Sequence, residues 1–332
     1  SAMRKKLNNF NIYSFYFKDH EKFNEDFNVA KVNANFYKNN FIPIEIGHNE
    51  FSDNAEKIVD ILEEPSGNDC SVLNYSMSKK ISEKILITGD GGDEVFTGYD
   101  KYRSIHLINF LRKFNFLKFI DLKSKYKNLN RLFYKNPKDL YLSFSHQNIF
   151  KNLNLYYKNF KLLKQNDLFL NHTKNLELEN TLNSISLMDL DLIIPNEYLL
   201  RNDKIFMNEG VEVRVPLLDL NLINNLLNIN EFKKFQYSFK SKGLVKKIFK
   251  NDIHKIVRRK WGLGSPYAKW MKGPLQEFLK QILNKDYYSN SKNYFNFDEI
   301  NKLISLHKEK YYNPNLLWSL AMMQIFLRNF RL

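Results

Sequence analysis

An α/β fold, a parallel sheet succeeded by a mainly helical lobe, is what this sequence predicts, on three observations. Strand-like and helical stretches alternate between residues 10 and 103. An acidic, glycine-rich turn follows the third strand without a spacer. After about residue 105 the strand signals fade and long helical patterns take over.

The elements follow in order. Residues 10–20 (FNIYSFYFKDH) and 41–46 (FIPIEI) carry the β-branched and aromatic residues of strands, with helical sequence between them. A helix is predicted from about Asp69, a good N-cap, to Ser82, with Val72, Leu73, Met77 and Ile81 on its apolar face. Residues 85–88 form a third strand. This order gives a parallel sheet whose ligand site lies at the strands' carboxyl ends. Helical patterns then occupy 104–118, 138–165, 180–193, 217–228, 240–251, 273–284 and 315–330. The chain divides accordingly into an α/β lobe, 1–103, and a helical lobe, 104–332.

Composition narrows the class. The 332 residues are 43% hydrophobic, enough for a sizeable core. A single cysteine, Cys70, excludes an intrachain disulfide framework and a CxxC zinc site, and fits a reducing, cytoplasmic setting. The most apolar stretch, LLWSLAMMQIFLRNF at 316–330, is shorter than the roughly 20 residues that span a bilayer, and the start of the chain shows no signal peptide. The net charge of +15 comes from lysines spread along the chain rather than gathered. That distribution argues against a nucleic-acid groove while favouring small anions such as ATP.

Residues 85–102, ILITGDGGDEVFTGYDKY, hold the chemistry-bearing pattern. Ile85-Leu86-Ile87 leads into Thr88-Gly89-Asp90-Gly91-Gly92-Asp93-Glu94. Glycines let backbone N–H groups approach a ligand closely. Carboxylates beside such a turn hold Mg²⁺ on a phosphate rather than repel it.

This string closely resembles (S/T)G(D/E)G(G/S)DE(L/V)FxGY, the signature of the synthetase domain of asparagine synthetases. Further motifs follow in the same order. Residues 63–75 (EEPSGNDCSVLNY) resemble DEPxxDxSxxPxY, with Asn74 in place of the proline. Residues 194–219 resemble LPxxxLxKxDRxxMxxxxExRxPFLD, with Asp203, Glu212, Arg214 and Asp219 in register, Arg201 where lysine is usual and Lys204 where arginine is usual. A buried ion-pair network joining the lobes is the structural reading of Asp203, Glu212 and Arg214. Residues 239–249 resemble a helix written GKxxLR, Lys242 falling on its lysine. Residues 258–274 resemble RPKxGFxxPxxxWLRGP, with Trp270 as the anchor of a loop.

The resemblance implies a PP-loop ATPase-like, adenine nucleotide alpha-hydrolase-like sheet. It implies ATP and Mg as cofactors, adenylation of a carboxylate (aspartate by default, or another carboxylate in an amide- or lactam-forming relative), and ammonia transfer to give the amide, AMP and pyrophosphate. Asp93 would bind Mg²⁺. Thr88, Gly89, Gly91 and Phe15 would contact the nucleotide. Asp90 would act as the base toward ammonia, and Lys242 would stabilise charge on the intermediate. The family's pyrophosphate loop, SGGxDS, belongs before the strand Tyr13–Phe17, yet no SGG precedes it, and no glutaminase sequence is present. The sheet is therefore expected to lack its first strand, and the isolated chain to be inactive, either as a piece of a longer enzyme or as a non-catalytic remnant or partner subunit. A glutaminase subunit encoded upstream or separately is the expected partner, a homodimer is compatible, and no membrane partner is expected.

Overall fold

β-Branched and aromatic residues at 11–16 and 40–45 do form strands, and they pair in parallel. The computed structural model describes residues 10–113, 140–141, 144, 153–158, 181–235, 242–249, 264–310 and 312–332. Strand β1 (Asn11–Tyr16) meets β2 (Asn40–Glu45) in register from Asn11↔Asn40 to Tyr16↔Glu45. The crossover that parallel pairing requires is supplied by helix α1 (Glu25–Phe36). Strand β3 (Ile85–Ile87) pairs in parallel not with β1 but with β4 (Glu212–Arg214). The parallel strands thus form two separate pairs, β1-β2 and β3-β4. Both pairs begin at the same end of the molecule. The Tyr13 hydroxyl donates to Glu83 at 2.5 Å, and the Asn11 amide reaches the same carboxylate just ahead of β3.

Strand β4 lies between the helical patterns expected at 180–193 and 217–228, in the part of the chain expected to be mainly helical. Val211-Glu212-Val213-Arg214-Val215 alternates apolar and charged residues with the period of a strand, a signal that the sequence reading absorbs into a longer motif. The pairing of β4 with β3 carries the sheet across the division at residue 103.

Helix α2 (Asn49–Leu62) buries Phe51, Ala55, Ile58, Val59 and Leu62, a stripe with helical spacing. That stripe packs against α3 (Cys70–Ser78) and the C-terminal helix Pro314–Asn329. The latter starts with proline at its first turn, and the Asn313 side chain accepts from the Leu316 N–H. Trp270 fills the junction, its ring 5.4 Å from that of Phe51 and 5.7 Å from that of Phe17. One core therefore includes residues from both sides of position 103. A second, smaller core joins Tyr102, Ile105, Ile108, Leu182, Ile185 and Met188, between the helix Asp100–Lys113 and the helix Thr181–Met188. Among the described residues, no helix is long and apolar enough to cross a membrane.

Boundaries shift in ways the local chemistry explains. The helix expected over 69–82 ends at Ser78, whose hydroxyl donates back to the Tyr75 carbonyl. The helix expected over 180–193 continues as a π-helix from Asp189 to Leu199 with Pro195 inside it. Proline has no N–H for the ordinary i→i−4 bond, and a widened turn accommodates that loss. Most of the helix expected over 138–165, and residues 250–263, lie outside the described residues.

Candidate active site

The turn after β3 is shaped by its glycines. The Thr88 N–H donates to the Arg214 carbonyl at 3.0 Å, carrying the β3-β4 ladder one residue further before the chain turns. Gly91 sits at φ +80°, a left-handed conformation, and a Cβ there would fall 2.5 Å from Leu218 Cγ. The N–H of Gly92 closes the turn on the Gly89 carbonyl at 3.2 Å and starts a short helix, Gly92–Val95. A Cβ at Gly89 would meet nothing within 4 Å, so the turn's crest faces open space.

Asp90 is held on two sides. The Thr88 hydroxyl donates to Asp90 Oδ2 at 2.6 Å, and Asn202 Nδ2 donates to the same oxygen at 2.8 Å. Asn202 is in turn fixed by Asn74, whose amide donates to Asn202 Oδ1 at 2.7 Å. Asn74, from α3, is the residue that departs from the resembling motif's proline. Its amide is a donor that proline lacks.

Asp93 and Lys242 come together. Lys242 Nζ lies 2.8 Å from Asp93 Oδ1, with both side chains partly shielded. Lys242 caps a short helix, Gly243–Ile248, in a left-handed conformation at φ +54°. The pair meets over Gly98, where a Cβ would come within 2.6 Å of both Asp93 Cγ and Lys242 Cε. The N–H of Gly98 donates to the Asp93 carbonyl at 2.7 Å. Buried Thr97, at φ +56°, bends the chain to bring Gly98 there.

Glu94 turns inward and is 1% exposed. The Tyr99 hydroxyl donates to its Oε1 at 2.7 Å. Burial raises its pKa, and the Tyr99 hydrogen bond offsets only part of that rise.

Beyond Glu94 lies a cavity of about 860 Å³ that the sequence did not reveal. Asp69, Lys101, Tyr141, Asp189, Glu197 and Tyr198 line it together with Glu94 and Tyr99. Asp189, 1% exposed, accepts from Lys101 at 2.6 Å, from Tyr141 at 2.9 Å and from Tyr102. Asp69 accepts from the Ser265 hydroxyl at 2.7 Å and its N–H at 3.1 Å. Burial raises the Asp69 pKa against those bonds. In sequence these residues come from four separate stretches, around 69, 94–101, 141 and 189–198, with no signal tying the stretches together.

Other expectations resolve differently. Phe15 lines a separate, smaller cavity of about 220 Å³ beside Met77 and Gly264. Glu212 and Arg214 pair at 2.9 Å on the surface, both more than half exposed, rather than in a buried network. Alternation along β4 turns Val213 inward and its charged neighbours outward. Lys204 instead grips the end of α2, donating to the Leu62 carbonyl at 2.6 Å and to Glu63 at 3.0 Å. Burial pushes the Cys70 thiol up to about 12, which keeps it protonated and inert.

No group of three or more His, Cys, Asp or Glu residues that could hold a metal ion occurs among the described residues. A single carboxylate on a glycine turn does fit Mg²⁺ that arrives with a phosphate, since that ion is held through one or two carboxylates plus phosphate oxygens.

The chain is 23% identical over 297 residues to "Asparagine synthetase [glutamine-hydrolyzing] 1" of Bacillus subtilis (strain 168); the match covers 84% of this chain and 46% of that protein. The chain thus spans less than half the length of that relative. The family model described as asparagine synthase matches residues 1–328, nearly end to end, and takes in the Thr88–Glu94 turn, the Asn202 helix and Lys242 alike. The chain belongs to the asparagine synthase family.

Proposed function

We propose that this chain carries the nucleotide-activating part of an ATP-dependent, amide-forming ligase. A carboxylate substrate is adenylated, and ammonia then displaces AMP to give the amide. The observation that carries the reading is the meeting of Asp93 and Lys242 over Gly98, just past a glycine turn that follows a parallel strand.

Each residue has a role in that chemistry. The N–H groups around Gly89 and Gly91 suit phosphate contact: a Cβ at Gly89 would meet nothing within 4 Å, while Leu218 packs against Gly91 and fixes the turn from its other side. Thr88 belongs to the nucleotide contacts as well as to the hold on Asp90. Asp93 would hold Mg²⁺, which neutralises charge on the departing pyrophosphate. Lys242 supplies a fixed cation for negative charge that develops on the acyl centre, a role worth about 3–4 kcal/mol where single oxyanion donors are removed. Asp90, its Oδ2 already accepting two hydrogen bonds, is positioned as the base for the incoming ammonia. The 860 Å³ cavity beyond Glu94 is the candidate acceptor pocket. Aspartate is the default acceptor. A glutaminase, encoded upstream or separately, is the proposed source of the ammonia.

The test is Mg-ATP binding by calorimetry, with Asp93→Ala alongside. Binding that the variant loses supports the assignment and leads to ATP–pyrophosphate exchange with a panel of carboxylates. Binding that Asp93→Ala leaves untouched rejects Asp93 as the metal residue.

A further inference from the structure

We propose that Asn202, aimed by Asn74, is a positioning residue for the amide-forming step. It anchors Asp90 through Oδ2 and leaves Oδ1 as the atom that takes the proton from ammonia. The proposal rests on the ligase reading and adds to it side chains that no motif of the sequence calls for. Asn202 falls on an open position of the resembling motif, between Arg201 and Asp203.

The directions of the bonds are forced by the carboxylate. An ionised carboxylate only accepts, so the Asn202 amide must turn its NH2 toward Asp90. It does so, with Nδ2 at 2.8 Å from Asp90 Oδ2. The amide oxygen then faces the opposite way, toward α3, and needs a donor. Asn74 Nδ2 supplies it at 2.7 Å. A turned-over Asn202 amide would set oxygen against the carboxylate and NH2 against NH2, two repulsions at once. Asn74 thus excludes the wrong orientation. Asn202 is 4% exposed, so the excluded orientation would also leave buried polar atoms unpartnered.

The anchor fixes one oxygen of Asp90 and spares the other. The Thr88 hydroxyl donates to the same Oδ2 at 2.6 Å. Two donors, one from the end of β3 and one from the helix Leu200–Met207, hold the carboxylate's plane. Among the described residues Oδ1 accepts no hydrogen bond. Tyr198, one turn before Asn202, lines the cavity beyond Glu94, so the same stretch of helix serves both the cavity wall and the Asp90 anchor. In the step itself, the nitrogen lone pair of ammonia forms the C–N bond to the acyl carbon. The C–O bond to AMP breaks, and AMP leaves with that electron pair. The surplus proton on nitrogen passes to Asp90 Oδ1. A purely structural role for the amides makes a different prediction. Adenylation precedes the arrival of ammonia and makes no use of Asp90 as a base, so loss of positioning spares it.

Two half-reactions separate the cases. ATP–pyrophosphate exchange with aspartate and other carboxylates reads adenylation, and ammonium chloride as nitrogen source reads amide formation without a glutaminase. Asn74→Asp keeps size and shape but sets a second acceptor against the Asn202 amide, which cannot turn its NH2 to carboxylates on opposite sides. Its kcat for amide formation should fall by about tenfold or more, as should that of Asn202→Ala, while exchange stays within about twofold. Equal losses in both half-reactions would mean that the amides only hold the fold. No loss in either would mean that Asp90 needs no anchor. Each of these results overturns the proposal. Nuclear magnetic resonance reads the anchor without turnover. The Asn202 side-chain NH2 pair, assigned by its disappearance in Asn202→Ala, should exchange with solvent at least tenfold faster in Asp90→Ala and in Asn74→Asp than in the unaltered chain. An unchanged rate would overturn the anchor. Absence of exchange activity in the unaltered chain with every carboxylate tried would instead sink the ligase reading and this step with it, while the NH2 rates report the anchor separately.

Discussion

Lys242 reaches Asp93 at 2.8 Å across the bare Cα of Gly98. The three residues form one device, because the space for the ion pair exists only while position 98 lacks a side chain. Gly98→Ala is therefore expected to force the pair apart. A methyl group pressed into a filled space costs about 1–3 kcal/mol. Thermal unfolding should report that loss. Mg-ATP affinity should fall with it, as it does in Asp93→Ala. An alanine variant with unchanged stability and binding would show that the cradle has no role.

Asp90 depends on a chain of amides. Removing Asn202 strips one donor from Asp90 and leaves Asn74 without its acceptor. Loss of a partner to a buried polar group costs about 1–3 kcal/mol. Asn202→Ala should destabilise the chain by about that amount in urea. Asn74→Ala should do less, since Thr88 and Asn202 would still hold the carboxylate. If the amides act as a unit, the double variant will lose less than the two single losses combined, with a coupling of about 0.5–3 kcal/mol. Strict additivity would mean the bonds are independent.

How far the site could be read before the fold was known depends on how local its signals are. Thr88, Gly89, Asp90, Gly91 and Asp93 lie within six residues, and a strand followed by glycines marks them without help from elsewhere. Lys242 needed the resembling motif, because a lysine in a lysine-rich chain carries no signal of its own. Asn202 and Asn74 were overlooked as partners for a different reason. An amide's role is set by what stands opposite, and their contacts to Asp90 and to each other join three distant elements. Asp189 was hidden the same way, since Lys101, Tyr102 and Tyr141 reach it from two other parts of the chain. The α2 stripe is recoverable from periodicity, and so is β4, where Val211, Val213 and Val215 alternate with Glu212 and Arg214.

Trp270 tests the junction between the early and late parts of the chain. It is buried against Phe17, Phe51 and His20. Trp270→Ala should cost about 3–5 kcal/mol, the range for truncating a large aromatic in a core. Urea unfolding followed by far-UV circular dichroism should show one cooperative transition moved to lower denaturant. Two separated transitions would mean the parts before and after residue 103 fold independently.

The pH dependence of stability follows from Glu94 and Asp69, both raised in the folded chain by burial. A carboxyl with a raised folded pKa binds its proton more tightly folded than unfolded. Its contribution is complete below the unfolded values, near 4.5 for Glu94 and 3.8 for Asp69, and is lost as pH rises through the folded values. These two groups therefore make the chain less stable as pH climbs above that range, opposite in sign to a salt-bridged carboxylate. Glu94→Gln keeps an oxygen to accept from the Tyr99 hydroxyl while removing the charge. In that variant the decline in the urea midpoint above about pH 4.5 should flatten, with the larger stability gain at neutral pH than in acid. A variant whose pH profile runs parallel to the wild type would show that Glu94 ionises as freely folded as unfolded, and that its burial is relieved by solvent entering through the cavity it lines.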